Sequence, residues 1–443
     1  MELNDAVCDA ARRSRDARFD GRFFIAVTTT RVYCRPVCPV PAPKDEHIRY
    51  FPTAAAAEAA GYRPCLRCRP EASPGTPAWS GTSAVVSRSL RLIGDGALDT
   101  TDVERFAAAM GVTARHLRRL FLRHLGATPT AIALTRRLHF AKKLVDETSL
   151  PFEQVAYAAG FGSVRRFNSE IRRVYSRTPT QLRQLAGKRA ESIEHERYQF
   201  RLAYRPPYDW DAIIEILRAN AIPGVEHVDR TRYRRTIAIG EHTGEIEVRP
   251  DAGFALALDI RFGDPKQLLV IVERVRRMFD LGADPAAIGE QLGADPLLAP
   301  RLEHHPGIRV PGAWEAGELA TLALAGGRAT ARIVELFGTR TASGAMVFPS
   351  PAQLAAAPLE RTGITPRTAE LIKRFDPHAL DELPAATAQY LAMRALGEPD
   401  AFPASDPTLR RALGDRTPRD VERLSEAWRP WRAYAAMLLW SSP

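Results

Sequence analysis

Between residues 83 and 186 the apolar positions recur at helical spacing, and the same unit appears twice. Val103, Phe106, Ala107 and Met110 keep one face of a short helix. Gly111-Val112-Thr113 then predicts a turn with Thr113 as N-cap, and Leu117, Leu120 and Phe121 keep the face of a second helix. The unit returns as Val155, Ala156 and Ala159, then Gly160-Phe161-Gly162-Ser163 with Ser163 as N-cap, then Val164, Phe167, Ile171 and Val174. Between the units Leu134, Leu138, Ala141 and Val145 fit one long connecting helix. Opposite the apolar faces stand Arg115, Arg118, Arg119 and Arg123 in the first unit, and Arg165, Arg166, Arg172 and Arg173 in the second. A short helix, a glycine turn and a capped arginine-rich helix predict a helix-turn-helix whose second helix enters a major groove. The alternative is a pair of solvated basic faces on ordinary core helices. Further on the pattern changes to alternation. Phe254, Leu256, Leu258 and Ile260 are apolar at every second position, as in a half-buried strand, and 198–202, 236–239 and 246–248 are further strand candidates. From about residue 266 onward the helical pattern resumes, broken by Pro and Gly. The Pro/Gly/Ser-rich segment 72–82 and the segment 186–196 mark boundaries.

Charge sharpens this division. Residues 1–190 hold 31 Lys and Arg against 17 Asp and Glu, a net of +14, so the remainder carries −4 of the overall +10. A basic half beside a near-neutral half predicts a polyanion bound mainly by the first, and nucleic acid is the leading candidate. No amphipathic helix concentrates the charge and no apolar run reaches membrane-spanning length, so no membrane partner is expected. The first residues lack an apolar signal core, which places the chain in the cytoplasm as an expectation.

The cysteines supply the chemistry. Cys34-Arg-Pro-Val-Cys38 and Cys65-Leu-Arg-Cys68 are two close pairs separated by a fold-sized gap, the spacing of a tetrahedral four-thiolate zinc site. Arg31, Arg35, Arg63, Arg67 and Arg69 interleave with them. The fifth cysteine, Cys8, is left over, and an odd count with four clustered argues for metal rather than a disulfide framework. One zinc ion is the cofactor expected, with no nucleotide or organic cofactor. A metal-held thiolate either staples a small domain or acts as a nucleophile.

The segment 16–71, with both cysteine pairs, Phe23, Arg35-Pro36, Phe51, Gly61-Tyr62-Arg63-Pro64 and Arg67, closely resembles the N-terminal domain of the Ada family of the bacterial response to alkylation damage. The resemblance implies that Cys34 accepts a methyl group from a DNA methylphosphotriester, with Cys38, Cys65 and Cys68 completing the metal shell. The helical stretch, through its Gly-Phe-Gly-Ser turn, Phe167 and Thr178-Pro179, resembles AraC-type DNA-binding domains. Residues 197–443 resemble the AlkA-type 3-methyladenine DNA glycosylases of the helix-hairpin-helix superfamily. The match runs through Pro206-Pro207-Tyr208-Asp209-Trp210, Arg277-Met278-Phe279-Asp280-Leu281, Pro306 to Gly312 and Trp428 to Tyr434. That likeness implies a flipped base held by Tyr390 and Trp440 and a catalytic carboxylate at Asp406. Tyr390 and Trp440 read alternatively as core aromatics, and Asp406 as a helix N-cap. Three departures stand out: the hairpin Leu383-Pro384-Ala385-Ala386-Thr387-Ala388 lacks both glycines and the Trp, and the segments after Ala320 and after Leu371 are short.

The expected architecture is a multidomain α+β chain. It comprises a small zinc-bound α/β domain at 1–75 and an all-α tandem helix-turn-helix domain at 83–186. An α+β glycosylase region follows, an antiparallel sheet subdomain at 197–300 and a helical bundle at 301–443. The expected function is a stoichiometric cysteine methyl acceptor that activates sequence-specific DNA binding and transcription, fused to a monofunctional glycosylase for alkylated bases. The expected partners are alkylated and promoter DNA, with RNA polymerase a further candidate. The alternative is a methylation-activated transcription regulator whose glycosylase part is a non-catalytic remnant.

Overall fold

The computed structural model of the chain describes residues 3–75, 84–94, 96–187, 196–341 and 344–441. Most of the boundary segments 72–82 and 186–196 lies outside the described residues. The chain divides into two compact units: residues 1–206 with 264–273 and 281–284, and residues 207–263 with 274–280 and 285–443.

In the first unit, α1 (Asp5–Ser14) precedes a small sheet of β1 (Phe24–Val27), β2 (Val32–Cys34), β3 (Ile48–Phe51) and β4 (Arg63–Pro64), in the order β3-β1-β2-β4. The alternation of β1 sends Phe24 and Ala26 to one small core, with Tyr33 and Tyr62, and Ile25 to another, with Cys8, Phe19 and Phe23. Strands β2 and β4 pair in parallel, Tyr33 opposite Pro64. Cys34 and Cys65, the next residues along, therefore come out at the same sheet edge. Helix α2 (Ala54–Ala59) starts at Thr53, whose hydroxyl accepts the Ala56 N–H.

The helical part of this unit follows the repeat. Helices α3 (Val103–Ala109) and α4 (Ala114–Leu125) form the first helix-turn-helix, α6 (Phe152–Ala158) and α7 (Val164–Tyr175) the second, and α5 (Pro129–Glu147) joins them. Thr113 and Ser163 are the N-caps, each accepting a backbone N–H at 3.2 Å, from His116 and Arg166. Gly111 and Gly160 end the preceding helices at φ +72° and +79°, a region that L side chains rarely enter. Strand β5 (Arg197–Ala203) closes the unit's sequence-continuous part. Buried Arg205 donates to the Gly282 and Ala283 carbonyls at 3.0 and 3.1 Å, and Arg22 pairs with Asp284 at 3.0 Å. These contacts fasten residues 281–284 into this unit.

In the second unit, α8 (Trp210–Ala219) is followed by β6 (Glu226–Val228), β7 (Tyr233–Ile239), β8 (His242–Asp251) and β9 (Ala255–Phe262), neighbours paired antiparallel. Leu256, Leu258 and Ile260 are buried as the alternation predicts. Phe254 is not part of that face. It sits in the β8–β9 reversal at φ +60° and is 50% exposed, because the hairpin has to turn there before the strand begins. The helical region holds α9 (Ala316–Phe337), α10 (Ala385–Arg394), α11 (Pro407–Ala412) and α12 (Arg432–Trp440). Helix α9 is interrupted at Gly326, whose φ of +76° and ψ of 162° are non-helical. The segment after Ala320, which the family likeness implies is shortened, leads into this interruption. Among the described residues no helix is long and apolar enough to cross a membrane.

Candidate zinc centre, DNA-reading helices and base pocket

The four predicted ligands come together. The sulfurs of Cys34, Cys38, Cys65 and Cys68 all lie within 4.8 Å of one another. Cys34 ends β2, and a turn closed by the Cys38 N–H on the Arg35 carbonyl at 3.1 Å returns Cys38 to it. Cys65 is set by its N–H on the Tyr33 carbonyl at 2.9 Å. Arg35 braces the far side: its guanidinium holds Asp20 and donates to the Cys68 carbonyl at 3.1 Å, and its backbone N–H reaches Cys68 Sγ at 3.4 Å. Packed this closely, the sulfurs compete for protons. Hydrogen bonding with Cys38 pushes the Cys34 thiol up, and hydrogen bonding with Cys34 pushes Cys68 up while pulling Cys38 and Cys65 down. A divalent cation at the centre relieves this competition, because it favours the thiolate at all four positions. Cys8 lies apart in the α1 core, where burial raises its thiol to about 11.

All eight predicted arginines of the two reading helices are exposed, on the faces opposite Leu117, Phe121, Phe167 and Ile171, which are fully buried. Arg173 is partnered by Glu170 at 2.7 Å and Arg119 by His116 Nδ1 at 3.0 Å. Such exposed pairs contribute little and give way readily to phosphates.

In the second unit the structure also joins the predicted base-pocket residues. Tyr390 and Trp440 meet edge to face, 6.1 Å between ring centroids. Trp440 Nε1 donates to Asp406 Oδ1 at 3.1 Å, and the same oxygen accepts the Thr408 and Leu409 N–H groups at 3.0 and 2.9 Å. Asp406 is thus the N-cap of α11 and a neighbour of the aromatic pair at once. Sequence reasoning missed Arg394, one turn after Tyr390 on α10, which donates to the Tyr390 hydroxyl and places its guanidinium 5.4 Å from that ring. The i, i+4 spacing was the available signal. It also missed the buried pair Arg235–Glu318, joined at 2.8 Å through both carboxylate oxygens, for which no local signal exists. The turn before α10 runs Leu383-Pro384 straight into the helix, with no glycine and no side-chain cap.

Three family profiles match this chain: the metal-binding domain of Ada over residues 7–71, a helix-turn-helix domain over 106–185, and the AlkA N-terminal domain over 199–315. A Mycobacterium tuberculosis protein described as a probable bifunctional transcriptional activator/DNA repair enzyme AlkA is 39% identical over an alignment of 475 positions, covering 98% of this chain and 96% of that one. This chain belongs to that family of bifunctional activator and repair proteins. The DNA-3-methyladenine glycosylase 2 of Escherichia coli is 30% identical over 278 residues, 54% of this chain and 96% of its own. The Ada protein of the same organism is 35% identical over 118 residues, 27% of this chain and 32% of its own. The family thus joins an Ada-type zinc site, a helix-turn-helix DNA-binding region and an AlkA-type glycosylase region in one chain. DNA is its partner and repair its business.

Proposed function

We propose that Cys34 takes a methyl group from a DNA methylphosphotriester and that this uptake activates DNA binding by the two helix-turn-helix units. The observation that carries this reading is the closed four-sulfur cluster with Cys34 at the strand end. Bound Zn2+ keeps the sulfurs ionised at neutral pH. Cys34 Sγ attacks the methyl carbon in line, the S–C bond forms, and the O–C bond breaks with its electron pair left on the phosphodiester. Cys68 Sγ accepts the Arg35 backbone N–H at 3.4 Å, which draws charge from that sulfur and leaves it a poorer nucleophile. Four thiolates on a divalent ion carry two net negative charges, and the methylated set carries one. Less repulsion then faces the phosphates, and phosphate contacts dominate affinity. Promoter-bound protein would next engage RNA polymerase. The test is mass spectrometry of the zinc-site peptide after incubation with alkylated duplex. A methyl increment is expected on the wild type and none on Cys34→Ser. An unmodified wild-type peptide sinks the reading.

For the second unit, the contact of Asp406 with Trp440, whose ring in turn meets Tyr390, supports excision of alkylated bases such as 3-methyladenine. The aromatic rings select a cationic base, and the carboxylate stabilises positive charge growing on the sugar. A second reading, favoured by the glycine-free turn before α10 and the interruption of α9, keeps this unit as a non-catalytic remnant with only a binding or structural role. Without glycine the backbone N–H groups of that turn cannot approach phosphates closely. Release of 3-methyladenine from methylated duplex decides between the two.

A further inference from the structure

The cysteine cluster is bracketed in sequence by two residues whose side chains both end on α5. Tyr33 directly precedes Cys34, and Arg69 directly follows Cys68. Tyr33 is completely buried. Its carbonyl accepts the Cys65 N–H at 2.9 Å, its hydroxyl donates to Glu58 Oε1 at 2.8 Å, and that hydroxyl lies 3.1 Å from His139 Nε2. Glu58 also accepts from the Thr135 hydroxyl at 2.7 Å. Thr135 and His139 are one turn apart on α5. At the other bracket the Arg69 N–H meets the Cys65 carbonyl at 3.1 Å. Its guanidinium lies 2.9 Å from Asp146 and 3.3 Å from Glu147, at the C-terminal end of α5. Glu71 joins this second cluster, 3.3 Å from Arg69 and 3.5 Å from Lys142.

The ends of the reading helices are held by the same small domain. The Thr53 hydroxyl, which caps α2, donates to the carbonyl of Leu125, the last residue of α4, at 2.9 Å. Gly126 follows at φ +66°, where a Cβ would stand 3.0 Å from Ala56 Cβ. Tyr175, the last residue of α7, is 1% exposed, and α7 packs on β4, whose Pro64 precedes Cys65.

The geometry points to α5 as a beam, mounted on the zinc centre at two points, through which the chemical state of the cysteine cluster sets the relative placement of the two reading helices. This rests on Cys34 being the methyl acceptor, and it goes beyond charge loss. Fewer negative charges at the cluster act only on nearby phosphates, whereas displacement of α5 alters both groove contacts together. Close-packed interiors transmit such shifts because they cannot deform gradually. Each joint is a part-buried polar contact whose groups are costly to leave half satisfied.

The test uses the full chain and alkylated duplex as methyl donor. Methyl uptake is read by mass, amide exchange over 129–147 by hydrogen–deuterium measurement, and affinity for the same duplex by anisotropy, before and after uptake. Wild type should take up methyl, change its exchange over 129–147 and gain affinity. The double substitution Thr135→Val and His139→Leu touches neither the cluster nor the reading helices. It should take up methyl as fast, show no change over 129–147, and lose most of a gain expected to be about tenfold. Asp146→Asn, at the other mounting, replaces the pair should it unfold the unit. Equal affinity gain in wild type and variants, or unaltered exchange in methylated wild type, overturns the beam while leaving the acceptor reading intact. Absence of methyl on wild type ends both, and the mass measurement alone identifies that case.

Discussion

Asp406→Asn isolates the charge of the proposed glycosylase carboxylate from its structural work. Oδ1 of Asp406 accepts three hydrogen bonds, two from the start of α11 and one from Trp440. The amide oxygen of asparagine accepts the same three, and asparagine caps helices as well as aspartate does, so α11 and the Trp440 contact survive. What disappears is one negative charge. A positive charge growing on the sugar about 4 Å away interacts with that carboxylate by about 4 kcal/mol at an effective dielectric near 20. With each 1.36 kcal/mol worth roughly a decade in rate, excision should fall about a thousandfold. Asp406→Ala should lose the same rate and in addition about 1 kcal/mol of stability, because the cap goes too. The assay is single-turnover release of 3-methyladenine from methylated duplex at saturating protein, with thermal unfolding in parallel. An Asp406→Asn rate within about threefold of wild type would refute the electrostatic role. A wild type that releases nothing above background leaves only the non-catalytic reading.

Other outcomes follow from the same structure. Removing Arg118 or Arg166, both exposed on reading helices, should weaken DNA binding and, where the contact is to phosphate, reduce the log–log salt slope by about one. An unchanged slope and affinity for all eight arginines would return these faces to the solvated alternative. Asp280 is partly buried, and desolvation raises its carboxyl from 3.8 to about 6 against the opposing pull of Arg309 and the Tyr434 hydroxyl. The folded state therefore holds this proton more tightly than the unfolded chain. Its contribution is complete below pH 4 and lost as pH rises through about 6, a swing of about 3 kcal/mol. Denaturant titrations should show Asp280→Asn flattening that slope, and an equal slope in wild type and variant would contradict it. Chelation should loosen the zinc region, whose own cores are two small clusters, before it affects α3, α4, α6 and α7. Amide exchange over 24–71 measures this directly.

The helix-turn-helix pair was legible because its signals are local. A cap, a turn glycine and a helical stripe lie within a dozen residues of each other, and Thr113 and Ser163 act as caps where the pattern puts them. The cysteine cluster was legible for a related reason: two close cysteine pairs separated by a fold-sized gap are the spacing of a four-thiolate metal site. Phe254 shows the limit of periodicity, since alternation does not reveal where a hairpin reverses. The aromatic pair and Asp406 came from family likeness, and only coordinates show one carboxylate oxygen shared by a helix cap and an indole.

Residue identities alone determined the ligand set, the capped helices, the alternating strands and the basic half, because each depends on neighbours in sequence or on summed composition. Tertiary structure decided what lies beside what. Tyr33 meets His139 across 106 positions, and Arg235 meets Glu318 across 83. No periodicity encodes such pairs; they exist only where packing closes a long loop and withdraws both groups from water, leaving each the other's best available partner.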